Sequence, residues 1–247
     1  MTQYGFFFDQ SRCYGCQACA SACKDWNGIE PGPEKWMTVY EWETGTFPSV
    51  RIHTLAFGCA HCENPACVAA CSTGALFKED EFGAVLVDQE KCVGCRECKA
   101  ACPYGAPKFA SDEPGVKMSK CTMCIDKLAK GDKPQCVLSC PMRAFDFGPM
   151  DELVAEYGDR RVLDGMPEAP ELAPSFLTRP LKQHKKLIPF DEEKVIALNA
   201  QRGELPALFS SEDEVALIPE GIMYRNGLRM KSSTVEELMR ATLSDLG

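Results

Sequence analysis

Cys92, Cys95, Cys98 and Cys102, followed by Pro103, stand in the spacing C-x2-C-x2-C-x3-C-P. Few folds can use such a run. Three thiols on one tight loop wrap a corner of an iron–sulfur cube, and the fourth, about a helical turn further on, points away toward a second cube. One run therefore demands a companion, and the chain holds three. They are Cys13, Cys16, Cys19 and Cys23; Cys59, Cys62, Cys67 and Cys71; and Cys121, Cys124, Cys136 and Cys140, the last followed by Pro141. The four runs use all sixteen cysteines.

Two other chemistries consume many cysteines. Disulfide-dense chains are mostly small secreted domains. This chain has 247 residues, and Met1 to Asp9 lacks the charged start and long apolar stretch of a secretory signal. Zinc takes C-x2-C pairs, usually two per ion, and has no use for a third and fourth cysteine in the same run. Iron–sulfur clusters fit best, with a zinc-holding assembly module as the non-redox alternative. A net charge of −9 and the absence of a basic stripe exclude a nucleic-acid partner. No apolar run approaches the roughly 20 residues needed to span a bilayer.

Along the chain, Tyr4 to Phe8 reads as a core strand entering the first run. Residues 24–58 form an insertion holding Trp26, Trp36 and Trp42, placed to pack over the clusters or against a partner. In the second run His61 lies between two ligands, as a donor to a cluster sulfur or as a solvated loop residue. Apolar segments around Leu76 and Ala84 to Val87, with a turn ending in Gly83, read as a hairpin leading into Cys92. The insertion in the fourth run carries Lys127, Lys130 and Lys133, a basic patch or a solvated helix face. Arg12, Lys91 and Arg96 near the runs read as surface charges able to raise local potentials. Met142 to Phe147 supplies another strand.

An internal repeat relates the runs. Asp9-Gln10-x-x-Cys13 matches Asp88-Gln89-x-x-Cys92, and Pro65-x-Cys67-Val68-x-x-Cys71 matches Pro134-x-Cys136-Val137-x-x-Cys140. The strand between the second and third runs is local, whereas Pro107 weakens a strand at the exit of the third. The strand after Cys140 then has to pair with the strand before Cys13. The expected fold is α+β, two nested ferredoxin-like modules: residues 1–23 plus 103–150 around 59–102, with 24–58 inserted and 151–247 as an extended tail. With each fourth cysteine crossing over, one cluster takes Cys13, Cys16, Cys19 and Cys140. A second takes Cys23, Cys121, Cys124 and Cys136. A third takes Cys71, Cys92, Cys95 and Cys98, and a fourth Cys59, Cys62, Cys67 and Cys102. Four complete sets predict four 4Fe–4S clusters.

In the tail, Met150 to Tyr157 and Asp191 to Asn199 read as helices, and Pro167, Pro170, Pro174, Pro180 and Pro189 predict a stretch running extended over a surface. Ser233-x-x-Glu236 is a capping box before an apolar face of Val235, Leu238, Met239, Thr242 and Leu246. Such a helix packs on its own core or docks on a second subunit.

Gln3 to Asp9, Cys98 to Pro107 and Arg143 to Pro149, with the four runs, resemble the four-cluster iron–sulfur subunit of the dimethyl sulfoxide reductase family of molybdenum and tungsten oxidoreductases. The likeness covers roughly residues 3–160. It implies an electron-transfer subunit of anaerobic respiration, bound to a large catalytic subunit carrying a molybdenum or tungsten bis-pyranopterin cofactor. It further implies that the first and fourth runs face that subunit. Some relatives place tryptophan at the position of Cys95 and hold a 3Fe–4S cluster there; the cysteine here implies a cubane. Ser72 replaces a proline common in the family, which affects rigidity rather than ligation. Some members add a third, integral membrane subunit linked to quinol. Export would rely on a twin-arginine signal of the catalytic partner; otherwise the complex is cytoplasmic. The chain shows no nucleophile or general base in a pocket, so it is expected to be non-catalytic. A polyferredoxin-type subunit of a hydrogenase or formate complex is the alternative.

Overall fold

The computed structural model describes residues 2–32, 34–45, 50–182 and 191–201, together with Glu236 and Met239. The chain gathers into two compact units. One comprises Met1–Thr44, Arg51–Lys182 and Lys231–Gly247, the other Gly45–Val50 and Gln183–Met230. Among the described residues no helix is long and apolar enough to cross a membrane.

The first unit is built on strand β1 (Tyr4–Asp9). Its three phenylalanines divide by the two-residue period of a strand. Phe6 and Phe8 enter the main core beside Phe145, Phe147 and Phe176. Phe7 faces the other way and stacks on Tyr157 with ring centres 3.8 Å apart. The strand is thus buried on both faces, as a core strand should be. It pairs antiparallel with β6 (Phe145–Pro149), in the register Phe6 opposite Phe147. Helix α6 (Met150–Tyr157) follows β6 at once and covers Phe7 with Met150 and Leu153.

The other edge of β1 is a departure from expectation. Instead of running over a surface, the proline-punctuated stretch contributes β7 (Phe176–Arg179), parallel to β1 and with Leu177 fully buried. A four-residue strand flanked by Pro174 and Pro180 gives too short a pattern to show in the sequence, and the free edge of β1 selects it. Before β7, Leu163, Met166 and Ala169 also enter the main core.

Between the runs, α1 (Ala18–Trp26) carries Cys19 and Cys23 four residues apart on one face. The insertion folds as a hairpin of β2 (Thr38–Thr44) and β3 (Arg51–Phe57). Its tryptophans serve their own chain: Trp42 stacks on cross-strand His53, Trp36 donates to Ser119 Oγ at 2.9 Å, and Trp26 carries the Lys127 ammonium 4.1 Å from its ring centre. Helix α2 (Ala66–Ala69) and a second hairpin, β4 (Leu76–Lys78) with β5 (Val85–Val87), complete the second run. Helices α3 (Glu97–Ala101), α4 (Ile125–Leu128) and α5 (Gln135–Leu138) serve the third and fourth. Past Pro107 only one isolated bridge forms among the described residues, Lys108 with Ser119.

The sequence repeat is also a structural one. Asp9 and Asp88 each accept the backbone N–H two residues on, at 2.9 Å in both cases. Gln10 and Gln89 each tie their loop to a neighbouring carbonyl, Thr54 and Met118. Pro65 and Pro134 open α2 and α5, each accepting from the valine three residues on at 3.0 Å. The second unit holds α7 (Glu192–Gln201), close to the helix expected over 191–199. Of the C-terminal helical segment, Glu236 and Met239 are helical, and Met239, 1% exposed, joins the main core. Ser233, Val235, Leu238, Thr242, Leu246 and Pro189 lie outside the described residues.

Candidate iron–sulfur sites

Every cysteine run turns on a residue in the left-handed region two places after its first cysteine. These are Gly15 (φ 78°), His61 (44°), Gly94 (72°) and Met123 (61°). The turn reverses the chain so that backbone N–H groups point back at sulfur. His61 N–H reaches Cys59 Sγ and Met123 N–H reaches Cys121 Sγ, both at 3.4 Å. Similar donors come from outside the loops, Met118 N–H to Cys92 Sγ at 3.4 Å and Ala144 N–H to Cys140 Sγ at 3.3 Å. Such donors stabilise sulfur that carries negative charge.

The cysteines meet across runs. Cys13, Cys16, Cys19 and Cys140 line one cavity of about 330 Å³, walled by Val39 of β2 and Ala56 of β3. Cys71, Cys92, Cys95 and Cys98 line a second of about 310 Å³. Cys59, Cys62, Cys67 and Cys102 line a third of about 400 Å³, closed by Pro65, Pro103, Pro107 and Leu172. Cys136 lies deepest; burial first, then Cys121, Cys124 and Cys23, pushes its thiol well above the ordinary range. Among the described residues no three ligand side chains converge tightly enough to hold a single ion. Three of the sets open around cavities of similar size instead, and they fit a compact polynuclear cluster better than zinc held at about 2.3 Å from sulfur.

Electrostatics fit the same group. Burial, then repulsion from neighbouring thiols, raises Cys19 to about 12, Cys67 to about 12 and Cys98 to about 11. Burial, then Cys124, raises Cys23 to about 11. Without metal these four thiols therefore keep their protons, and iron has to displace them. Cys71 goes the other way: burial opposes, but the backbone N–H groups of Leu76, Ala75 and Thr73 and the Thr73 hydroxyl together lower it. The neighbour relations also run between sets. Cys136 lies within electrostatic reach of Cys19, Cys121 of Cys59, and Cys67 of Cys98.

Several side chains depart from their simplest expectation. His61 is not a solvated loop residue: it is fully buried, and burial, then Lys120 and Lys78, holds its pKa well below the usual value. Its φ of 44° folds the ring inward, where Val85 N–H donates to Nδ1. Lys127 is buried beneath the Trp26 ring rather than solvated, while Lys130 stays exposed and Lys133 pairs with Asp146 at 2.6 Å. Arg12, Lys91 and Arg96 pair with Asp9, Asp88 and Asp112. The lysines that do crowd a cysteine set are others, which no sequence pattern singles out. Lys120 lines the third cavity, and Lys78 donates to the Cys62 carbonyl at 2.9 Å. Burial takes Lys108, near Cys102, down to about 8. Nothing in the residues around them signals burial.

Residues 50–150 match the 4Fe-4S dicluster domain family. Over 187 residues the chain is 43% identical to a component of the anaerobic dimethyl sulfoxide reductase of Escherichia coli, covering 72% of this chain and 89% of that one. It is 40% identical over 172 residues to a component of the sulfite dehydrogenase of Allochromatium vinosum, covering 62% and 71%. Against the thiosulfate reductase electron transfer subunit of Salmonella typhi it is 40% identical over 152 residues, covering 61% and 78%. Extended similarity at this level, on a chain with three cavities each lined by four cysteines, makes it a member of the family of iron–sulfur electron-transfer subunits that serve dimethyl sulfoxide reductase and its relatives.

Proposed function

We propose that this chain carries four 4Fe–4S clusters and relays single electrons to or from a large molybdenum or tungsten bis-pyranopterin subunit. The observation that carries the reading is the meeting of cysteines from different runs, three sets lining three cavities of similar volume. The ligand sets are Cys13, Cys16, Cys19 and Cys140; Cys23, Cys121, Cys124 and Cys136; Cys59, Cys62, Cys67 and Cys102; and Cys71, Cys92, Cys95 and Cys98. The pairings of β1 with β6 and of β4 with β5 support two nested ferredoxin-like modules.

When bound, the clusters supply reversible one-electron chemistry. The chain's residues hold them, order them and keep water out. The electrostatic neighbours Cys19–Cys136, Cys121–Cys59 and Cys67–Cys98 support a linear order beginning at the Cys13 set and ending at the Cys92 set. Exposed Tyr14 and Met142 beside the first cavity support a partner surface there. A membrane-bound quinol-linked subunit, and export on a signal carried by the catalytic partner, form part of the same reading.

Iron analysis of anaerobically purified protein tests it. About sixteen irons per chain, brown colour bleached by dithionite, and co-purification with a pterin-containing chain are the expected results. Zinc in place of iron would overturn it, and purification with a hydrogenase subunit would transfer the chain to another complex.

A further inference from the structure

Between the Cys59 set and Cys121 lies a polar cluster closed off from solvent. His61 is 0% exposed and Lys120 2%. Both grip the backbone of one residue of β5, on either side of its Cα. Val85 N–H donates to His61 Nδ1 at 2.9 Å, and Lys120 Nζ donates to the Val85 carbonyl. Because Nδ1 accepts, the ring proton sits on Nε2, which lies 3.5 Å from Cys121 Sγ. A histidine of the second cysteine run thus donates to a cysteine sulfur of the fourth.

Lys120 completes the connection from the other side. Its Nζ donates to the Cys121 carbonyl at 2.7 Å, and the residue lines the cavity of Cys59, Cys62, Cys67 and Cys102. Among the described residues no carboxylate stands at ion-pair distance from it. A buried ammonium needs a nearby anion. The anions within reach, once iron is bound, are the ligand sulfurs: Lys120 lies within electrostatic reach of Cys67, Cys102 and Cys121.

We propose that His61 and Lys120 form the electrostatic junction of the relay, raising the reduction potentials of the two central clusters, those of the Cys59 set and the Cys121 set. The inference rests on the four-cluster reading. Reduction adds one negative charge to a set, and a hydrogen bond to sulfur or a buried cation stabilises that added charge. Both groups sit at the crossing between sets, so they act on two potentials of four. They are tuning residues and ligate no iron themselves.

The test is an EPR-monitored redox titration of the purified complex, with dithionite as reductant and ferricyanide as oxidant. Iron content of the unaltered complex is measured first, so that failure of the four-cluster reading is seen separately. In His61→Phe the central potential nearest Cys121 is expected to fall, with an about tenfold weaker one-electron reduction equilibrium, about 59 mV. Lys120→Met lowers both central potentials by at least as much. The two terminal clusters keep theirs. His61→Gln retains a donor and Lys120→Arg the charge, so each restores the potentials in part. Unchanged potentials with full iron content, or equal shifts at all four clusters, overturn the proposal. So does cluster loss in both His61→Phe and Lys120→Met without rescue by the conservative variants, which would make the pair purely structural.

Discussion

In the proposed relay the two ends of the cysteine array differ from its middle. The Cys13 set and the Cys92 set each leave one thiol exposed, Cys16 and Cys95, beside an exposed apolar neighbour, Tyr14 at 61% and Val93 at 58%. The Cys23 and Cys59 sets have no exposed thiol. They are surrounded instead by buried polar groups: His61, Lys120 and, partly, Lys78. Ends must be reached by a redox partner, which requires thin cover. A centre that only passes electrons onward can be dry, and in a dry site each fixed charge acts more strongly. One chain thus provides two kinds of environment for one kind of ligand set.

The sharpest way to break this contrast is to remove a ligand from each region. Cys136→Ser at the buried centre is expected to cost its own cluster and destabilise the neighbours, leaving well under about twelve of sixteen irons per chain. Cys16→Ser at the open end is expected to disturb one cluster only, leaving about twelve or more. Iron and acid-labile sulfide assays with EPR decide between these outcomes, and equal losses would remove the distinction.

A smaller effect separates the supports. Phe8→Ala empties a fully buried site between Phe145 and Phe176, at about 3–5 kcal/mol. Its loss should lower the thermal midpoint and broaden the spectrum of the Cys13 set before that of the Cys92 set. Simultaneous loss would show that both ends depend on one core. Smaller again is Gly94→Ala. At φ 72° an added Cβ meets the Val116 carbonyl oxygen at 2.5 Å and the Gly115 backbone carbon at 2.8 Å. About 1–3 kcal/mol of backbone strain is expected there, read as a changed EPR signal of the Cys92 set alone. The smallest effect on stability is at the surface. Tyr14→Asp and Val93→Asp should each stay within about 0.5 kcal/mol of the parent by chemical denaturation. Tyr14→Asp alone should weaken co-purification of the catalytic partner; the reverse result would place the partner at the Cys92 end.

Some of this was legible in advance because it is local. Cysteine spacing, the repeated Asp-Gln and Pro-x-Cys-Val patterns, β1, the hairpin before Cys92 and α6 all depend on near neighbours in sequence. Other features depend on contacts far along the chain. The insertion gave no hairpin signal, although seven residues of β2 pair with seven of β3. The strand at Phe176 exists because β1, at the other end of the first unit's sequence, offers a free edge. The residues around His61 left it open between a donor to a cluster sulfur and a solvated loop residue, and nothing in the sequence singled out Lys120. What buries them is β5, reached only after the second hairpin has closed.

The amino-acid sequence by itself thus determined the chemistry: sixteen soft ligands in four spaced runs, each able to turn tightly enough to aim several thiols at one point. Tertiary structure alone decided which thiols share a cavity, which stay open to a partner and which lie beside buried charge. The division follows from range. Ligand type and loop geometry are set by a handful of adjacent residues, whereas burial and electrostatics at a sulfur are sums over every segment packed around it.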